Sequence, residues 1–169
     1  MLLFVVSETV LFGGMISGFW IVKQSAPIWP PPGQPRLPVE ATAFNTVVLI
    51  LSGIMLYQAH RRIQRRQEGV ERALLAAVLL GSFFVLFQGY EWVQLIYEGL
   101  TLTSSTLGSF FYLIVGVHAI HAIVALGILI YAYRCLRAGW RAKNLLFTAE
   151  VLWYFVVGIW PIVFVVVYL

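Results

Sequence analysis

Apolar residues run almost unbroken over five stretches, residues 2–22, 41–59, 73–97, 107–133 and 145–169. A helix needs about 20 such residues to cross a hydrocarbon layer of about 30 Å. The stretches between them are polar. The first, "KQSAPIWPPPGQPRLPVE", holds prolines that cannot continue a helix. The second, "HRRIQRRQEGVER", is strongly basic, the third, "EGLTLTSST", has no basic residue, and the fourth, "RCLRAGWRAKN", is basic again. The pattern predicts an all-α, polytopic membrane protein. Its five transmembrane helices should pack as one bundle and form a single domain over residues 1–169.

Composition agrees. The chain is 61% hydrophobic and 11% charged, where a soluble domain is nearer about 25% charged. No polar stretch is long enough for a separate soluble domain, and no internal repeat is evident. The net charge of +4 does not argue for nucleic acid, because the basic residues flank apolar spans as orientation signals do. Arg61, Arg62, Arg65, Arg66 and Arg72 lie between spans 2 and 3, and Arg134, Arg137, Arg141 and Lys143 between spans 4 and 5. The other connections carry only Lys23 and Arg36. Positive charge stays inside, so the N-terminus is expected in the cytoplasm and the C-terminus in the periplasm. Arg61, Arg62, Arg65 and Arg66 are also candidates for anionic lipid headgroups, with topology control the simpler reading.

Cys135 is the only cysteine, which rules out an intrachain disulfide and a thiolate metal cluster. The first residues lack a basic n-region and an A-x-A site, so no cleaved signal peptide is read. Gly14 and Gly18 form a G-x-x-x-G on span 1, with Gly13 and Ser17 beside them. Small residues of this kind let helix backbones approach in lipid.

Against this apolar background five polar side chains stand out: Glu8, Gln88, Glu91, His118 and His121. A carboxylate at mid-span carries an insertion penalty of roughly 2.5–3.5 kcal/mol, so such groups face the bundle interior and pair. Gln88 and Glu91 are three apart and share a helix face, as do His118 and His121. Glu8 lies roughly 10 Å above the inner boundary and His121 roughly 20 Å below the outer one, by the helical rise. Across a core of about 30 Å the two depths coincide. Gln88 and His118 share another level. Two layers are therefore expected, Glu8 with His121 and Gln88 with His118, with Glu91 above them.

These groups admit several chemistries. A ferritin-like di-iron bundle needs two E-x-x-H motifs and two more carboxylates; one H-x-x-H is present and no E-x-x-H. Haem ligation by His118 or His121 is equally weak, since a bis-His site draws on two helices. The choice is between a hydrogen-bonded clamp, which is favoured, and a proton relay. Trp20, Trp29, Trp92, Trp140, Trp153 and Trp160 read as interface markers and packing rather than a cofactor box. Glu150, at the cytoplasmic start of span 5, is expected to be a solvated helix-start carboxylate favoured by the dipole, with pairing to a basic loop residue as the alternative.

The ordered set of motifs resembles subunit III of the haem–copper cytochrome c oxidases. "SETVLF" is similar to the family's S-E-x-x-F-F stretch, which puts its intramembrane glutamate at Glu8. "WPPPGQPRLPVEATAFNTVVLILSG" is similar to its W-P-P-x-G loop and next helix, with Glu40, Asn45, Thr46, Ser52 and Gly53 at the motif positions. "LFQGYEW" resembles Q-x-x-E-[YW], at Gln88 and Glu91. "GSFFYLIVGVHAIHA" resembles G-S-x-F-[FY]…G-x-H-x-x-H, at Gly108, Ser109, Phe110, His118 and His121. Two departures accompany the match. In "WYFVVGIW", Tyr154 stands where the family carries histidine and Val157 where it carries aspartate. Longer members also have two further helices at the front, so their complete lipid-filled cleft is not expected.

The resemblance implies a non-catalytic subunit that stabilises subunit I, supports proton uptake and binds lipid in aerobic respiration. It implies no redox cofactor bound by this chain, with haem and copper expected in subunit I and copper also in subunit II. Subunit I would be the main contact, with subunit II and other respiratory subunits nearby, in the bacterial cytoplasmic membrane. Related alternatives are subunit III of a quinol oxidase and the homologue associated with nitric oxide reductase. A rival of another class is a small proton-coupled transporter using Glu8, Glu91, His118 and His121. Transporters usually show repeats or broken helices at the midplane, and the spans show neither.

Overall fold

The structure, a computed structural model, describes residues 2–139 and 143–169. The described residues form five helices: α1 (Leu2–Ser25), α2 (Val39–Gln64), α3 (Val70–Tyr97), α4 (Thr106–Arg137) and α5 (Lys143–Tyr168). All five are long and apolar enough to cross a membrane, and the described residues include no strand. Trp140 and Arg141, in the second basic connection, lie outside the described residues.

The helices outrun the apolar stretches that predict them. α2 continues to Gln64 and α4 to Arg137, with Arg61, Arg62, Arg134 and Arg137 in their last turns. Hydropathy ends where water begins, but a helix need not, and cations near a C-terminus complement its dipole. Ser105 starts α4 by accepting a hydrogen bond from the Gly108 N–H at 3.0 Å, the usual satisfaction of an otherwise free first-turn donor. Gly69 precedes α3 at φ 83°, a left-handed conformation that glycine adopts without a Cβ clash. Pro161 sits inside α5 without ending it, as membrane helices tolerate when neighbours compensate.

α2 packs on α3 and α5, and α4 packs on α3 and α5, whereas α1 touches only α4 and α5. Only 11% of the α1 span is buried, against 33–44% for the others, so α1 is appended to a four-helix core. Trp153, Trp160, Phe84 and Phe111 fill that core, and Phe12 and Phe19 bind α1 to it.

The close approaches are not where the G-x-x-x-G predicts them. A Cβ built on Gly13 or Gly14 would meet nothing within 4 Å, and one on Gly18 only Phe110 at 3.8 Å. Because α1 has a single contact seam, its small residues mostly face outward. The tight seams lie elsewhere. A Cβ on Gly53 would come 3.1 Å from Val157, and one on Gly81 would come 2.5 Å from the Trp153 ring. Val157, at the position where the resemblance leads one to expect aspartate, thus makes an apolar contact with α2.

Candidate functional site

α1 and α4 run in opposite directions, and their polar residues meet as matching depths predict. His121 Nε2 lies 3.1 Å from Glu8 Oε2, with both side chains about one-fifth exposed. The approach is close enough for an ion pair but not aligned as a hydrogen bond. His121 Nδ1 lies 2.7 Å from the Val117 carbonyl oxygen. A carbonyl only accepts, so Nδ1 carries the hydrogen. The remaining nitrogen, Nε2, then faces the Glu8 carboxyl group. Phe4, Phe12 and Phe155 pack around the imidazole.

The second expected layer forms differently. Gln88 does not meet His118. Asn45 Nδ2 donates to Gln88 Oε1 at 3.3 Å and to the Phe84 carbonyl at 3.1 Å. Gln88 Nε2 in turn donates to Glu91 Oε2 at 3.3 Å and to Tyr168 Oη at 3.2 Å, and Thr42 Oγ1 donates to Glu91 Oε2 at 3.1 Å. Thr42, Asn45, Gln88 and Glu91 are all buried, and the network joins α2, α3 and α5. Matching depth, on which that expectation rests, says nothing of azimuth. Trp160 packs against His118 instead, its ring tilted by 31° with centroids 4.8 Å apart, and donates its N–H to Thr46 Oγ1 at 2.9 Å. His118 is 1% exposed, and neither of its ring nitrogens has a hydrogen-bond partner among the described residues.

Glu150 departs from the expectation of a solvated carboxylate. It is 4% exposed, and its Oε2 lies 2.8 Å from His60 Nδ1. His60 Nε2 is in turn 2.6 Å from Gln64 Nε2, toward the exposed end of α2. Burying a carboxylate requires such a partner. The partner is an imidazole of α2 rather than an arginine of the connections. The signal was present in the sequence: the end of span 2 and the start of span 5 fall at the same end of the bundle, and His60 opens the polar stretch there. Thr42 and Tyr168 were also missed, since a single hydroxyl in a span carries no pattern.

Several motif positions turn out to be junctions. Ser52 Oγ donates to the Ala77 carbonyl at 2.7 Å and accepts the Trp153 indole N–H at 3.0 Å. Asn45 and Thr46 hold α3 and α5 as described, and Gly53 lies under Val157. Among the arginines, Arg62 Nη1 donates to the Gly69 carbonyl at 3.0 Å, so part of its guanidinium is committed to the turn. Arg61, Arg65 and Arg66 are exposed. Among the described residues, no three His, Cys, Asp or Glu side chains converge as a metal site would need.

Fold and polar contacts together define a polytopic helical membrane protein with carboxylate–imidazole pairs held inside its bundle. Residues 1–169 match the family described as "Cytochrome c oxidase subunit III", and the chain belongs to that family. It is 32% identical over 196 residues to the "Probable cytochrome c oxidase subunit 3" of Rickettsia felis, a match covering 100% of this chain and 66% of that protein. It is 28% identical over 172 residues to the "Cytochrome c oxidase subunit 3" of Synechocystis sp., covering 99% of this chain and 72% of the relative. The mouse protein of the same name is 29% identical over 181 residues, covering 99% and 67%. The chain thus spans about two thirds of the length of the curated relatives it matches. Five spans and bacterial relatives make it an integral protein of the bacterial inner membrane.

Proposed function

We propose that the chain serves as the non-catalytic subunit III of a haem–copper cytochrome c oxidase in aerobic respiration. The observation that carries this reading is the family match over residues 1–169, with relatives named for a cytochrome c oxidase rather than a quinol oxidase or nitric oxide reductase. Its main partner is subunit I, which supplies haem and copper, with subunit II and its copper nearby. The N-terminus is cytoplasmic and the C-terminus periplasmic, as the Lys and Arg distribution supports. In that orientation the His60–Glu150 pair and the exposed Arg61, Arg65 and Arg66 face the cytoplasmic side. The arginines suit anionic lipid headgroups.

The role of Glu8 and His121 follows from their contact at 3.1 Å between α1 and α4. The pair clamps the two helices, and intramembrane carboxylates and imidazoles of this kind are also the usual parts of a proton relay to a neighbouring subunit. Gln88, Glu91 and their partners form the static clamp of the opposite half.

The test is affinity purification from native membranes in mild detergent, followed by a haem spectrum. Recovery of a haem-bearing subunit with this chain is the expected outcome. Purification of the chain alone, with proton flux when it is reconstituted in liposomes, would favour the transporter and sink the oxidase reading. Within the complex, Glu8→Gln keeps most hydrogen bonding but removes titration. Sustained turnover should fall in that variant; unchanged turnover leaves only the clamp.

A further inference from the structure

His118 poses a problem that the two polar layers leave unsolved. A neutral imidazole offers one N–H and one lone pair, and buried polar groups rarely go without partners. His121, three residues on, satisfies its Nδ1 with its own helix carbonyl at Val117. His118 makes no such bond, because its ring is held on Trp160 at 4.8 Å. At 1% exposure, no side chain of a neighbouring subunit can reach it. Only a small molecule enclosed with it can.

The surroundings indicate where that molecule sits. Glu8 and Phe12 are one turn apart on α1 and share a face, as His118 and His121 do on α4. The two helices are antiparallel, so Glu8 lies opposite His121 and Phe12 opposite His118. The Phe12 ring touches both imidazoles, edge-on, with centroids 6.2 Å from His118 and 5.8 Å from His121. Glu8 Oε2 is itself buried and has no aligned hydrogen bond. Both imidazoles therefore meet one phenylalanine of α1, and the unsatisfied Glu8 oxygen lies 3.1 Å from the second of them.

We propose that His118 binds an internal water molecule that bridges it to the Glu8–His121 pair. Water suits the site because it donates and accepts, as the imidazole and carboxyl together require, and because buried waters settle on otherwise unsatisfied polar groups. The bridge turns the pair into a three-residue unit, Glu8, His121 and His118. Within it His118 is a positioning residue, acting on the carboxyl group through the water. The inference rests on geometry inside this chain and holds whichever oxidase the subunit joins.

Two measurements on the intact complex decide it. A high-resolution structure should show water density within hydrogen-bond distance of a His118 ring nitrogen and of Glu8. Infrared difference spectroscopy, with the Glu8 band identified by its loss in Glu8→Gln, should show that band shifted in His118→Leu and restored toward its position in His118→Gln. Either an absence of density at both His118 nitrogens or a Glu8 band indifferent to His118→Leu overturns the proposal. If the Leu variant does not assemble, density in the unsubstituted complex decides alone. Failure to recover any haem-bearing partner would count against the oxidase reading and leave this one standing.

Discussion

Trp153 donates its indole N–H to Ser52 Oγ at 3.0 Å while Ser52 passes its own hydroxyl hydrogen to the Ala77 carbonyl at 2.7 Å. One serine thereby ties α2 to α3 and α5 at a fully buried point. Ser52→Ala removes both bonds and leaves a buried indole N–H unsatisfied. The expected loss of stability is about 1–3 kcal/mol, read as a lower midpoint in a detergent unfolding titration. An unchanged midpoint would show that the junction is not held by this hydroxyl.

The same indole makes Gly81 irreplaceable. A Cβ there would come 2.5 Å from the Trp153 ring, and a buried aromatic ring cannot move aside without disturbing its own hydrogen bond. Gly81→Ala should destabilise by about 1–3 kcal/mol, as overpacked cores do. Gly14→Ala, where nothing lies within 4 Å, should leave the isolated subunit's midpoint where it was. Equal effects from the two substitutions would contradict the packing described.

The pairing of Gln88 with Asn45 rather than His118 can be checked by double-mutant cycles. Residues in contact couple by about 0.5–3 kcal/mol, whereas separated ones add. Gln88→Leu with Asn45→Leu should be strongly non-additive in unfolding free energy. Gln88→Leu with His118→Leu should be additive within error. The reverse result would restore the layer that matching depth alone suggests.

At the end of the bundle where α2 finishes and α5 begins, His60→Ala leaves the Glu150 carboxyl group buried without its imidazole. Breaking a fully buried pair costs about 3–5 kcal/mol. His60 is about one-third exposed, so water compensates in part and the loss should fall below that range. The double variant His60→Leu/Glu150→Leu should recover much of the stability, because no carboxyl group is then left unpaired. A double variant less stable than His60→Ala would argue that the pair is itself a net stabiliser.

The five spans, their apolar character and the identity of the side chains that needed partners were all legible along the chain. So was the Glu8–His121 contact, because α1 and α4 cross one another at a depth set by helical rise. The Gln88–His118 pairing was wrong for an equally physical reason: rise fixes height, and the rotation of each helix about its axis depends on what it packs against. Trp160, bonded to Thr46 and packed against His118, sets that rotation. Glu150 was misplaced because a carboxylate near a span boundary is satisfied as well by water as by a buried imidazole, and only the closeness of α2 and α5 chooses between them.

Hydrophobic transfer acts on each segment by itself, so the amino-acid order alone settled that this chain crosses a membrane five times and which of its polar groups could not be left bare. Hydrogen bonding between helices depends on side chains far apart in sequence meeting at the right angle. Which group answers which was therefore decided only when close packing at Gly53 and Gly81 brought α2, α3 and α5 together and left the Glu8 carboxyl group of α1 to face His121 of α4.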